Sequence, residues 1–304
     1  MKSIVSYPDR GEWGNNRYRG NCSGRLIADI IDQYRLQGLS DFMVGGGTTE
    51  AVVRERGIRG DFADLNRGYD MLSMDIPNRA ENVFWHPPYH TMIRYADSMY
   101  RASDVEARYG LNAETVLADD LSQCASWDEF IKRLNHCMLK QYAALEKGGR
   151  MFTLVGDMKK SGRLYSMISD ICKPGQLEQI IIKAQHNCWS DTQSYSNNNF
   201  VPIVHEYLIV TRKDPGMSLL VPVSLPQRYT MDLRKTSHTS WRDALLAILE
   251  DGGEMTLAEL YDQMKDSPKT KANRFWQEKI RQTVQDARHF TRTARGTYTA
   301  APHS

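Results

Sequence analysis

The segment from Leu39 to Asn66 restricts the fold more than any other part of the chain. LSDFMVGGGTTEAVVRERGI reads as a short apolar strand, a turn at Gly45-Gly46-Gly47 and a helix, and GDFADLN supplies a second short strand ending in Asp64. That order is a β-α-β unit. The same alternation continues to about Lys213. Upstream, NCSGRLIADIIDQY places Leu26, Ile27, Ile30 and Ile31 on one helical face, opened by Ser23-Gly24. Downstream come the strand ENVFW, a helix from Trp127 to Glu146 and the strand RMFTLVGD. A helix near Leu164–Ile171 and the apolar strands LEQIIIKA and HEYLIVTRK follow. This pattern predicts the α/β class: a doubly wound, Rossmann-like sheet with an antiparallel pair at its end.

A change of composition marks the end of that region. DPGMSLLVPVSLPQRYTMDLRKTSHTS has no defensible periodicity and reads as a linker over 214–239. Beyond it, SWRDALLAILED, MTLAELYDQMKD and NRFWQEKIRQTVQDARHF have helical apolar spacing, and FTRTARGTYTA reads as two strands around Arg295-Gly296. Three helices and a hairpin over 240–304 are the order of a winged helix-turn-helix. The expected organisation is a domain over 1–213, the linker, and this smaller domain.

Composition excludes several classes. Residues are 41% hydrophobic and 25% charged, as expected of a globular chain rather than a disordered one. No apolar run approaches the ~18–20 residues needed to cross a bilayer, and the N-terminus lacks the apolar block of a signal peptide, so a cytoplasmic location is expected. Cys22, Cys124, Cys137, Cys172 and Cys188 contain no C-x-x-C pair and read as reduced structural thiols. Net charge is only +2, but it is unevenly spread. Between Lys269 and Tyr298, Lys269, Lys271, Arg274, Lys279, Arg281, Arg288, Arg292 and Arg295 face only Glu278 and Asp286. Placed on a recognition helix and wing, these cations suit the phosphates of double-stranded DNA.

A glycine turn between strand and helix lets a ligand approach the backbone and meet helix N-terminal amides. Such turns also serve dinucleotides and phosphates, or are merely tight. Asp64, ending the next strand, is placed to accept from a ribose diol, which points to an adenosine-containing cofactor without saying which. The tetrad His86-Pro87-Pro88-Tyr89 follows ENVFW and would lie beside that cofactor. Pro87 and Pro88 remove two donors and fix a turn whose carbonyls, with the side chain of His86, aim at one spot, while Tyr89 offers a flat face for a base. These parts suit an amine held for methylation. His86 and His90 stand four apart, but the intervening prolines preclude a helical metal motif, and no metal is expected.

Here the chain resembles the amino-methyltransferases of DNA, which methylate adenine-N6 or cytosine-N4. Their cofactor turn commonly reads DPFxGxGT, and Asp41-Phe42-Met43-Val44-Gly45-Gly46-Gly47-Thr48 matches it except for Phe in place of Pro and Met in place of Phe. RGNCSGRLIADII looks like the family's cofactor-flanking helix and HEYLIVTRK like its late strand, so the resemblance covers about Tyr7 to Lys213. It implies a class I methyltransferase sheet and S-adenosylmethionine as cofactor. The implied cofactor residues are Asn21, Ser23, Asp41, Met43, Gly45, Gly47, Thr48, Asp64 and Asp75, the last preferred to Asp70 as lying at a strand end. The tetrad is implied as catalytic. Among such enzymes the chain looks most like the low-specificity adenine methyltransferases of Mu-like prophages, which implies DNA as partner. Related readings are transfer to another planar amine, in cytosine, RNA or a protein glutamine, or an inactive DNA-binding regulator. The tetrad usually begins with Asp, Asn or Ser; a neutral imidazole at His86 can accept the same hydrogen bond.

Overall fold

The structure, a computed structural model, describes residues 1–186, 201–214 and 239–301. The chain divides into two compact units, Met1–Pro226 and Gln227–Ser304. That division falls within the expected linker, of which 215–238 lies outside the described residues, as do the polar segment 187–200 and its Cys188.

In the N-terminal unit the strands are β1 (Ile4–Ser6), β2 (Val83–Trp85), β3 (Arg150–Val155), β4 (Met158–Lys160), β5 (Arg163–Tyr165), β6 (Gln176–Ala184) and β7 (His205–Arg212). The helices are α1 (Gly24–Tyr34), α2 (Thr48–Glu55), α3 (Tyr95–Ser98), α4 (Ala102–Tyr109), α5 (Ala113–Asp119), α6 (Trp127–Ala144) and α7 (Met167–Asp170). The main sheet has the order β1-β6-β7-β3-β2, in which β7 runs opposite to both neighbours and the outer pairings are parallel.

Backbone hydrogen bonds extend this sheet past β2. Ser40 bridges Val83 and Asp41 bridges Phe62, both in parallel. Leu39 N and Asp41 N donate to Arg59 O and Asp61 O at 2.8 and 2.9 Å, and Asp41 O accepts from Ala63 N at 3.0 Å. The β-α-β unit read around the glycines is therefore present, with α2 as its crossover.

Alternation along the central strands explains the two layers. Val83 and Trp85 of β2, Met151 and Val155 of β3 and Ile209 of β7 enter one core with Phe130, Leu134 and Met138 of α6. Phe84, Phe152, Leu154, Leu208 and Val210 point the other way, into a core with Leu26, Ile27 and Ile30 of α1 and Val52 and Val53 of α2. A strand buried on both faces is apolar almost throughout, as VFW and MFTLV are, the one polar residue Thr153 being hydrogen-bonded to Trp85.

Two expectations are corrected, and one stretch without an assignment proves helical. The antiparallel strands do not end the sheet: β7 is interior, and β1 pairs with β6 in register Ile4↔Ile182 at the edge. The expected helix at Leu164–Ile171 is a hairpin strand, β5, followed by the single turn α7: Leu164 is exposed, and Met167 and Ile171 enter the core beneath α6. Helices α3 to α5 occupy a stretch with no assignment from sequence. Their buried faces amount to Ala96, Ala102, Val105 and Val116, too few to register as periodicity.

In the C-terminal unit the order is α8 (Trp241–Gly252), β8 (Met255–Thr256), α9 (Leu257–Met264), α10 (Pro268–Lys271), α11 (Trp276–Thr283), β9 (Phe290–Ala294) and β10 (Thr297–Ala300). The strands form an antiparallel sheet, β8-β10-β9. Leu245, Ile248, Leu260, Ile280 and Phe290 bury one core between helices and sheet. Ser240 caps α8, and Thr256 with Glu259 forms a reciprocal capping box on α9, which stops β8 after two residues. The third expected helix is shorter than its apolar spacing implied, ending at Thr283. No described helix is long and apolar enough to cross a membrane.

Candidate active site

Strand β2 ends where Pro87 and Pro88 withdraw two ladder donors, so the tetrad begins at the carboxyl end of a parallel strand. The strand end is fixed from below, since the buried Trp85 indole donates to Thr153 Oγ1 on β3 at 2.8 Å. Above it lies a pocket of about 820 Å³, its mouth included. Asn21, Asp41, Met43, Gly45, Thr48 and Asp64 line it, together with His86 and Pro88. This is the crevice position where open α/β sheets hold ligands.

Gly45 and Gly47 take left-handed backbone, φ +50° and +83°, and Gly47 caps the start of α2. The turn is held by carboxylates. Asp64 accepts from Gly45 N at 2.7 Å with one oxygen and from Asn66 N at 3.0 Å with the other. Asp41 accepts from Thr49 Oγ1 at 2.6 Å and Met43 N at 3.0 Å. Burial pushes the Asp41 carboxyl up to about 7 against those bonds, and raises Asp64 for the same reason. Across the turn runs the N-terminal segment, with Asn15 N donating to Gly46 O at 2.8 Å and Tyr18 stacked on Tyr95 at 5.7 Å.

Asp70, Asp119 and Asp120 also line the pocket, whereas no lysine or arginine does among the described residues. Asp120 is 3% exposed and accepts from Tyr95 N, Ala96 N and Ser122 N. Burial, followed by its neighbour Asp70, raises the Asp119 carboxyl.

Some expected residues stand elsewhere. Asp75 is exposed in a loop, not at a strand end, and does not line the pocket; the buried Asp70, passed over in favour of it, does. Its carboxylate accepts from Leu72 N and Ser73 N, so the local turn carries it inward. Ser23 precedes α1 and its hydroxyl donates to Arg10 O at 3.3 Å, away from the pocket lining. Gly47 and Pro87 shape the backbone behind the lining without joining it. Tyr89 does not line the pocket either, although its neighbours His86 and Pro88 do. Its hydroxyl donates to Glu206 Oε1 at 2.8 Å, and its ring meets the His86 ring edge-on at 5.6 Å.

Glu206, at the start of β7, joins the tetrad to the sheet. Its Oε1 is 3.3 Å from His86 Nε2, and its Oε2 accepts from Lys183 Nζ of β6 at 2.7 Å. Burial alone would raise this carboxyl, but His86 and Lys183 outweigh it and hold it well below the usual carboxylate range. Burial first, then Glu206, pushes the Tyr89 phenol far up, so it is a neutral donor. Gly156 leaves room beside the meeting: a Cβ there would lie 3.1 Å from Tyr89 Oη and 3.4 Å from Glu206 Cγ, a tight contact.

No protein-family model and no curated protein matches the chain. Solved structures match in part. A protein of Thermus thermophilus, provisionally assigned as a DNA modification methylase, matches over 56% of this chain and 56% of its own, with 16% identity and a TM-score of 0.29. Its complex with S-adenosyl-L-methionine matches over 65% and 60%, with 17% identity and a TM-score of 0.27. TehB from Haemophilus influenzae matches over 62% of each chain, with 8% identity and a TM-score of 0.30. This chain thus spans less than two thirds of each of these proteins. Likeness at this level does not establish a shared activity.

Glu206, Lys183, Asp119, Asp120 and Gly156 were not found by sequence reasoning. A signal for the first two existed: LEQIIIKA and HEYLIVTRK each carry a charged residue near the end of an apolar run, and an interior strand tolerates such a charge when it is paired. Among the described residues no group of three or more His, Cys, Asp or Glu could hold a metal ion. His90 is buried, with Nε2 2.8 Å from Cys124 O, and its ring packs on Phe130. The four described cysteines are buried and free.

Proposed function

We propose that this chain transfers a methyl group from S-adenosylmethionine to the exocyclic amine of adenine in DNA, with little sequence preference. The observation that carries this reading is the carboxylate-rich pocket lining without lysine or arginine among the described residues, closed on one side by His86 and Pro88. Asp41, Asp64, Asp70, Asp119 and Asp120 disfavour the phosphates of a dinucleotide or nucleotide and favour a cation. S-adenosylmethionine carries a sulfonium and an ammonium group. The Gly45 amide, which a phosphate would need, is already given to Asp64. Both Asp64 oxygens keep a lone pair for ribose hydroxyls. The bound cofactor would supply an electrophilic methyl group.

The residues then position the acceptor. Adenine must leave the duplex, because its amine cannot be reached in the stack. Tyr89, pinned through its hydroxyl, offers its ring to the base beside the pocket. A His86 ring nitrogen and the Pro87 carbonyl would accept the two amine hydrogens and leave the nitrogen lone pair directed at the methyl carbon; the nitrogen–carbon bond would form as the cofactor's carbon–sulfur bond breaks, and the proton shed by the nitrogen would leave along its hydrogen bond to His86. Catalysis on this reading is placement and hydrogen bonding.

The test is transfer of tritiated methyl to duplex DNA, followed by digestion to nucleosides. Label is expected in N6-methyladenine. Label in N4-methylcytosine, RNA or protein would overturn the substrate, and cofactor binding without transfer to any of them would overturn the enzymatic reading. Methylation confined to one short palindrome would refute low specificity.

We read the C-terminal unit as a winged helix, with α11 and the β9–β10 hairpin contacting phosphates. Arg281 and Arg288 are paired with Glu278 and Asp286 at 2.9 and 2.7 Å, and Lys269 lies over the Trp241 ring. Arg295 and Arg274, the latter over the Phe275 ring, are exposed and have no carboxylate partner among the described residues, so both can contribute. Changing both to Gln is expected to weaken binding evenly across sequences and to reduce the slope of log affinity against log salt by about 0.9 for each phosphate no longer neutralised. An unchanged slope would remove these two from the interface.

A further inference from the structure

Glu206 and Lys183 face each other in register on β7 and β6 and are 4% and 8% exposed. A buried ion pair is seldom retained for stability, since apolar residues of similar volume do as well. The transfer chemistry set out above gives this one no task. Its surroundings do.

Two oxygens lie near His86 Nε2: Glu206 Oε1 at 3.3 Å and Tyr89 Oη at 3.2 Å. The single Tyr89 hydroxyl hydrogen is donated to Glu206 at 2.8 Å, so toward His86 this oxygen can only accept. The carboxylate can only accept as well. Both neighbours of Nε2 therefore require a hydrogen on it, and in the neutral ring the lone pair falls on Nδ1.

We propose that Glu206 is a positioning residue for His86: it holds the ring hydrogen on Nε2 and so makes Nδ1 the atom that accepts from the substrate amine, while Lys183 balances the carboxylate's charge. The amine part of this statement rests on the function proposed above. Tyr95 and Cys22 are the further titratable groups that act on Tyr89, and Cys22 in turn stands near Lys183, Glu206 and Asp41.

Two double variants separate the acceptor from the charge. Glu206→Gln with Lys183→Met keeps an oxygen beside Nε2 and removes both charges; Glu206→Leu with Lys183→Met removes the oxygen too. Neither strands a buried ion. Nitrogen NMR of 15N-histidine-labelled protein, with the His86 signals identified by their loss in His86→Gln, is expected to show a protonated Nε2 and bare Nδ1 in the wild type. The Gln/Met variant should keep that tautomer. The Leu/Met variant should lose it, and its single-turnover rate at saturating cofactor should fall about 10²-fold, with the Gln/Met variant recovering most of the loss. A bare Nε2 in the wild type, or a Leu/Met variant that keeps both tautomer and rate, would overturn the proposal. The spectra need no substrate, so a protonated Nε2 in a protein that methylates nothing would sink the proposed function while the tautomer assignment stands.

Discussion

Replacing His86 with alanine is expected to slow single-turnover methyl transfer by about 10²- to 10⁴-fold, the usual contribution of a positioned proton acceptor, and to leave S-adenosylmethionine affinity essentially unchanged. His86 lines the pocket but bonds to neither Asp41 nor Asp64, so its loss removes an acceptor for the amine without touching the carboxylates assigned to the cofactor. Asparagine at this position should keep most of the rate, because its amide oxygen accepts the same hydrogen. Single-turnover rates at saturating cofactor for wild type, His86→Ala and His86→Asn check this, and a His86→Asn protein as slow as His86→Ala would show that an acceptor is not what His86 supplies. The acid side of cofactor binding is expected to follow Asp41, whose carboxyl is pushed up to about 7: as pH falls through that region, losing its charge weakens the hold on a cationic cofactor.

Glu206→Leu by itself is expected to cost about 3–5 kcal/mol of stability, because it leaves the Lys183 ammonium, 8% exposed, without its partner. For a unit of this size that lowers the melting temperature by on the order of 10 °C. Adding Lys183→Met should restore most of the loss, a non-additivity that identifies the stranded charge as its source. The pH dependence has a definite sign. The folded carboxyl is depressed below its unfolded value, which lies near ~4.3, so Glu206 contributes fully above that value and its contribution is lost as pH falls through the folded one. The gap between wild type and Glu206→Leu should therefore be widest near neutrality and narrow in acid. Urea melts at both pH values check this, and equal midpoints for the single and double variants would show that Lys183 had found another acceptor.

The β-α-β unit and the tetrad's place were legible because both are local. Strand, glycine turn and helix follow one another, and two prolines end β2 wherever the rest of the chain goes. α1 and α6 were legible because each presents a long apolar stripe to one face of the sheet. Asp70 and Asp75 were confused because the turn at 70–74 decides which carboxylate points inward, and that turn is set by side-chain bonds to Leu72 N and Ser73 N rather than by a strand. Helices α3 to α5 were invisible for lack of apolar residues, although Asp120, which accepts from the start of α3, helps to wall the pocket. β1 escaped notice because three residues gain their strand only from pairing with β6, far along the chain.

The reversed direction of β7 bears on the order in which a working site can come into being. Tyr89 and Glu206 are 117 positions apart, and β7 sits between β3 and β6, so its first residues reach the tetrad only when that slot in the sheet is filled. Closing so long a loop has an entropic cost that no neighbouring contact offsets until the strand is seated. A nascent chain ending before β7 would have the glycine turn and the tetrad in its sequence, but no carboxylate to hold His86. Completion of the sheet and readiness for chemistry are thus one event, and a partly made or partly unfolded protein lacks the bond that sets its histidine.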